Sequence, residues 1–203
     1  VTLALAGLVA YVIGSIPFAL IAARMRGVDL RAHGSGNLGA TNAIRVLGPA
    51  VGFTVLFLDL AKGLLAVLLV PKFVGASGAT AGVLCAAGAI AGHIWPLFAR
   101  FRGGKGVATA AGAFLGLAPR GVGLALLAFV VVLLGTRYVS LASMVAAVVL
   151  PLALWKTGAS AAILWMGVGV ATLVLVRHRT NFGRLLAGTE NRVPLSKSRK
   201  GAS

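Results

Sequence analysis

The sequence predicts an all-helical bundle that crosses a membrane several times. Two observations carry this. Mean hydropathy is +1.00, and 59% of the 203 residues are hydrophobic while only 11% are charged, well beyond the roughly 45–50% apolar content of soluble domains. The polar residues are also gathered into a few loops, separated by long uncharged runs.

The runs lie at 1–23, 51–70, 73–99, 106–119, 121–136, 138–155 and 157–176. A spanning helix needs ~20 apolar residues to cross ~30 Å of hydrocarbon. Five of the runs are adequate or close to it. The fourth and fifth are short and separated by Arg120, so they form either two thin spans or a re-entrant hairpin. In both cases the topology beyond them is the same, and the expectation is about seven transmembrane segments.

Charge sets the expected orientation. Of the 19 basic residues, 15 fall on the side reached after the first run, three on the other side, and Lys62 lies within a run. The side rich in Lys and Arg is the cytoplasmic one, which places the N-terminus outside and the C-terminus inside. The first run has no basic stretch before it, so it is expected to be a retained anchor rather than a cleaved leader.

This asymmetry accounts for much of the net charge of +16 without nucleic acid as a partner. Cys85 is the only cysteine and Asp29, Asp59 and Glu190 the only acids, so neither a disulfide nor a metal cluster is expected. Residues 1–192 form one integral-membrane domain, and 193–203 a basic, disordered tail.

Within the runs, Gly78, Gly82, Gly88 and Gly92 give two GxxxG spacings and Gly112/Gly116 another, the small-residue pattern of close helix packing in lipid. Asp59 and Lys62, three apart on one helical face, are expected to pair and face the bundle interior.

Three loops fall on the expected cytoplasmic face. "GSGNLG" (residues 34–39) matches a dinucleotide fingerprint, but its neighbours are apolar spans rather than a βαβ unit, which excludes that reading. Close-set glycines still let backbone N–H groups converge on an anion. Ser35, Asn37, Thr41 and Asn42 add short polar groups, and Arg45 adds a charge suited to bidentate phosphate contact. In "HIWPLFARFRGGKGVATAAG" (93–112), GGKG lacks the first glycine and the final Ser/Thr of a nucleotide loop. Gly103, Gly104 and Gly106 instead open a helix start beside Lys105, a natural phosphate site. His93 is either a polar residue at a span end or part of that site. In "RHRTNFGRLLAGTEN" (177–191), His178 and Asn181 share a helical face, and Glu190, which lies among cations, is expected to orient an arginine rather than to act as a base.

Together "GSGNLGATNAIRVLG", "HIWPLFARFRGGKGVAT" and "RHRTNFGRLLAGTE" closely resemble the three cytoplasmic motifs of the bacterial acyl-phosphate-dependent glycerol-3-phosphate acyltransferase family (PlsY). "GSIPFALI", "LDLAKG" and "RYVSLAS" are similar to it too, so the resemblance covers residues 1 to about 192. It implies an inner-membrane enzyme with its site on the cytoplasmic face. The implied reaction moves a fatty acyl group from acyl phosphate to the 1-hydroxyl of glycerol 3-phosphate, giving lysophosphatidic acid and phosphate.

By position in the motifs, Ser35, Gly36, Asn37, Gly39, Thr41, Asn42 and Lys105 would take the acyl phosphate. Arg45, Lys105, Ser143, His178 and Asn181 would take glycerol 3-phosphate. Ser35, Lys105, His178 and Asn181 form the implied catalytic set. Asp59, Lys62, His93, Gly103, Gly104, Gly106, Arg184 and Glu190 are supporting residues. The implied partners are the two substrates, membrane lipid and other enzymes of phospholipid synthesis; neither cofactor nor metal is implied. From the residues alone, a transporter or channel for an organic phosphate is the alternative.

Overall fold

The computed structural model describes residues 1–193; the tail expected from 193 onward lies, after its first residue, outside the described residues. Every apolar run of the sequence is helical. The first is broken in two, α1 (Thr2–Gly14) and α2 (Phe18–Arg24), because Pro17 has no N–H to donate and clashes with the turn before it. The break leaves the Ile16 carbonyl to accept a hydrogen bond from Lys62 Nζ at 2.9 Å.

The first polar loop runs into the short helix α3 (Ala40–Leu47). Gly48 turns the chain and Pro49 starts α4 (Pro49–Phe73), whose 25 residues span about 38 Å at 1.5 Å each. Then come α5 (Ala79–Ile94), a 3₁₀ turn (Leu97–Ala99), α6 (Val107–Leu117), α7 (Pro119–Thr136), α8 (Val139–Lys156), α9 (Ala161–Arg177) and α10 (Arg179–Leu186).

Length and composition qualify five of these segments as spans. A sixth is gained if α9 and α10, bent by 55° at their junction, are taken as one. The expected count of about seven includes α6, whose 11 residues cover about 16 Å, so length alone does not qualify it as a span. Its expected run began at Gly106 and ended at Pro119. However, Gly106 is a left-handed cap (φ 84) and Ala118 ends the helix before Pro119.

The glycines explain the packing of α1 on α5 and of α4 on α6. A Cβ at Gly88 or Gly92 would run into the Gly7 and Tyr11 carbonyls of α1, and one at Gly112 into the Leu60 carbonyl of α4. Gly82 and Gly116 also face neighbouring side chains at close range. Gly78 does not serve this purpose: it precedes α5 at φ 85 with open space around it. The main core of the bundle holds Cys85, Ala86, Ala89, Ile90, Phe114 and Leu154. A second, smaller cluster of Ala19, Leu20, Leu30, Leu38, Ala43 and Val55 seats the first polar loop on α2, α3 and α4.

Gly88→Val should therefore force α1 off α5. Overpacking of this kind typically costs 1–3 kcal/mol, so a clear drop in melting temperature in detergent is expected. Gly123→Val, where a Cβ meets nothing within 4 Å, should leave the melting temperature nearly unchanged.

Candidate active site

All three polar loops meet at one end of the bundle, and arginine or lysine side chains join each to the others. Arg31 of the first loop donates to the Ala99 carbonyl at 3.2 Å, which ties it to the second. Arg45 donates to the Asn191 carbonyl at 3.4 Å, which ties it to the third. Arg177 donates to the Gly104 carbonyl at 3.1 Å, and Lys105 Nζ donates to Asn181 Oδ1, so the second and third loops are doubly joined.

The first loop is shaped from within by Asn42. Its side chain is fully buried, donates to the Leu30 and His33 carbonyls at 3.1 Å each and accepts the Ser35 N–H at 2.9 Å. Gly34, at φ 62, leaves the space that this amide occupies. Asn42 was expected among the phosphate groups; turned inward, it reaches a ligand only through the loop it shapes. Ser35 stands exposed at the loop surface, while Gly36, Asn37 and Thr41 are half-buried and Gly39, the residue before α3, is buried.

In the second loop the Gly103 and Gly104 N–H groups bond back to the Ile94 and His93 carbonyls at 3.1 and 3.2 Å. This folds the loop tightly against the end of α5 and presents half-buried Lys105 just before the Gly106 cap of α6. The Asp59 and Lys62 pair is formed at 2.8 Å with both side chains only 3% exposed, and His93 Nδ1 lies 3.4 Å from Asp59.

In the third segment, His178 sits at the α9–α10 break and Asn181 one turn on; both are buried. His178 Nδ1 lies 2.8 Å from the Val174 carbonyl. A carbonyl only accepts, so Nδ1 carries hydrogen and, in the neutral ring, Nε2 is a free acceptor. Glu190 gathers the rest: Oε2 meets Arg184 Nε at 2.7 Å, while Oε1 accepts from Asn181 Nδ2 at 2.7 Å and from Ser140 Oγ at 2.9 Å. Burial pushes this carboxyl up, but the bonds from Arg184, Asn181 and Ser140 outweigh it and hold the group below its ordinary value of 4.5.

Lys105 is lowered to about 8, chiefly by burial, with Glu190 pulling it up and Arg184, Arg177 and Arg45 pushing it down. Four cations thus face one carboxylate, leaving a surplus of positive charge that suits a polyanion.

Two participants escaped the sequence reading. Ser143, expected at the site, turns its hydroxyl to the Val139 carbonyl of its own helix at 2.8 Å. Ser140, one turn earlier on the same face, is the α8 serine bonded to Glu190. Arg177, which by position is one of the basic residues flanking the last apolar run, is the latch on Gly104. The i, i+3 spacing of the two serines was the one available signal for Ser140.

An apolar helical bundle closed at one end by a cationic, glycine-rich site defines an integral-membrane protein that handles phosphate-bearing ligands. A family model described as glycerol-3-phosphate acyltransferase matches residues 4–188, and the chain belongs to that family. It is 47% identical over 184 residues to the glycerol-3-phosphate acyltransferase of Geobacter sulfurreducens, covering 91% of this chain and 94% of that one. To glycerol-3-phosphate acyltransferase 3 of Bacillus anthracis it is 44% identical over 201 residues, covering 98% and 100%.

The crystal structure of PlsY, an integral membrane glycerol 3-phosphate acyltransferase, in its glycerol 3-phosphate form matches with a TM-score of 0.89, 38% identity and 96% coverage of each chain. Its lysophosphatidic acid form matches at 0.86 and 37%. These relationships favour an acyltransferase over the organic-phosphate transporter that the loops alone left open.

Replacing Glu190 by Gln should cost about 1.5–3 kcal/mol, the range of a hydrogen bond to a charged group. A depressed carboxyl stabilises the fold above its ordinary pKa and loses that contribution as pH falls through the folded value. The difference in melting temperature between wild type and Glu190→Gln should therefore be full above pH 4.5 and close on acidification.

Proposed function

We propose that the chain transfers a fatty acyl group from an acyl phosphate to the 1-hydroxyl of glycerol 3-phosphate, yielding lysophosphatidic acid and inorganic phosphate. The observation that carries this is the joining of three loops by Arg31, Arg45, Lys105 and Arg177 into one cationic site at the end of the bundle. Two phosphate-bearing substrates repel each other, and only a site with several converging cations and N–H groups offsets that repulsion at reaction distance.

Ser35, Gly36, Asn37, Gly39 and Thr41 cradle the acyl phosphate on a loop held in shape by Asn42. Arg45, Lys105, His178 and Asn181 hold glycerol 3-phosphate, with Lys105 bridging the two phosphates. Ser140 supports Asn181 through Glu190. The acyl chain reaches the site from the bilayer.

The acyl phosphate is a mixed anhydride and needs no further activation. The 1-hydroxyl oxygen attacks the acyl carbon, the bond from that carbon to the phosphate oxygen breaks, and the hydroxyl proton passes to the departing phosphate. His178 Nε2, the free acceptor of the ring, orients the hydroxyl. Ser35 is a binding residue, not a nucleophile. The site faces the cytoplasm, the N-terminus the outside, and the membrane is the bacterial inner membrane.

Purified protein should form lysophosphatidic acid from acyl phosphate but not from acyl-CoA. Double-reciprocal plots should intersect, and enzyme incubated with acyl phosphate alone should carry no hydroxylamine-sensitive acyl group. A kinetically competent adduct that disappears in Ser35→Ala would make Ser35 the nucleophile.

The second test uses pH. Phosphate binding needs protonated Lys105, so in the free enzyme kcat/KM for glycerol 3-phosphate should fall as pH rises through about 8. Lys105→Arg, if active, should move that limb upward because its guanidinium stays charged. Lys105→Ala and Arg45→Ala should each cost about 1.5–3 kcal/mol in transition-state binding. Unchanged kinetics in either folded variant would make these cations topological only.

A further inference from the structure

Beneath the phosphate loops, a buried cluster of Asp59, Lys62 and His93 has no part in the reaction just described. Charge balance alone needs only two of the three. Asp59 and Lys62 pair within α4 at 2.8 Å, and Lys62 is further satisfied by the Ile16 carbonyl at 2.9 Å and by the Phe18 ring, 5.4 Å from Nζ. His93 comes from a different helix, α5, and its Nδ1 edge lies 3.4 Å from Asp59.

The opposite edge of the ring points at Gly104. Any Cβ there would overlap His93 Nε2, and a Cβ at Gly103 would overlap the His93 carbonyl. That carbonyl also accepts the Gly104 N–H at 3.2 Å, while Arg177 donates to the Gly104 carbonyl at 3.1 Å. Gly104 is therefore held on three sides, by the ring, by the backbone of His93 and by Arg177, and the next residue is Lys105. Asp59, Lys62 and His93 line a cavity of about 10 Å³ together with Leu38 of the first loop and both Gly103 and Gly104. The cluster thus lies under both phosphate loops at once.

We propose that Asp59, Lys62 and His93 are positioning residues for acyl transfer: the Asp59 carboxylate, fixed by Lys62, sets the His93 ring against Gly104 and so fixes Lys105 relative to the first loop. This rests on the acyl-transfer reading above. A displacement of about 1 Å in a group that orients substrate can cost on the order of 100-fold in rate, so a ring packed directly under the loop has leverage on turnover. A mere membrane ion pair would have none.

The test is steady-state kinetics with acyl phosphate and glycerol 3-phosphate on purified enzyme, alongside melting temperature and a pH profile. His93→Ala should raise KM for glycerol 3-phosphate and lower kcat, by at least fivefold each, with most of the melting temperature kept. Its alkaline limb should shift upward from near pH 8, because Lys105 leaves its buried seat facing Glu190, Arg184, Arg177 and Arg45. Gly104→Ala should lose at least tenfold in kcat/KM in wild type but less than twofold in a His93→Ala background, where the Cβ has room. If His93→Ala does not fold, His93→Asn, which keeps an N–H toward Asp59 and removes the ring, should show the same KM rise and limb shift.

Folded His93 and Gly104 variants that melt earlier but keep wild-type KM, kcat and alkaline limb would overturn the proposal and leave a purely structural cluster. Wild-type enzyme that transfers no acyl group would overturn the functional reading and this proposal with it.

Discussion

Glu190 is a carboxylate placed where positive charge would otherwise force the site apart. Lys105, Arg45, Arg177 and Arg184 act on one another electrostatically, and each is needed near the others if phosphate is to be held. Only partly screened by water, their repulsion works against the closing of the loops. A single buried anion, bonded to Arg184, Asn181 and Ser140, offsets part of that repulsion. Through Asn181 it also sets the amide that receives Lys105. The surplus left over is what a phosphate group finds attractive, so the same arrangement accounts for stability without ligand and for affinity with it.

The apolar bundle serves this site by holding its loops at fixed separations. Helix breaks do most of the positioning. Pro17 frees the Ile16 carbonyl for Lys62, Gly106 starts α6 directly after Lys105, and the bend at His178 turns α10 so that Asn181 faces inward. Beyond Glu190 the chain stays attached to the bundle: Arg192 lies over the Tyr138 ring, 4.9 Å from its centre, and the Val193 N–H donates to the Arg137 carbonyl at 2.9 Å. Because Arg45 binds the Asn191 carbonyl, this last segment closes the ring of loops.

Much of this was legible in the sequence because membrane insertion constrains sequence strongly. Seven uncharged runs gave seven helical regions, and the clustering of glycine with cations marked the three loops. The pairing of Asp59 with Lys62 followed from the cost of an unpaired charge in hydrocarbon. What escaped depended on detail that periodicity does not carry. Ser140 and Ser143 lie on one helical face, and only packing decides which reaches Glu190. Asn42 has the composition of a phosphate ligand and the burial of a loop organiser. Arg177 is a flanking charge by position and a backbone latch by geometry. The helix α6 is shorter than its uncharged run because that run includes two residues, Gly106 and Pro119, that bound the helix rather than extend it.

The central claim is that one site accommodates both phosphates together, and calorimetry with a non-reactive acyl phosphonate tests it most directly. Enzyme saturated with the phosphonate should still bind glycerol 3-phosphate with one-to-one stoichiometry, forming a ternary complex. If saturating phosphonate abolishes glycerol 3-phosphate binding by competition, the two ligands share a single phosphate position, and the account of three joined loops serving two substrates is wrong.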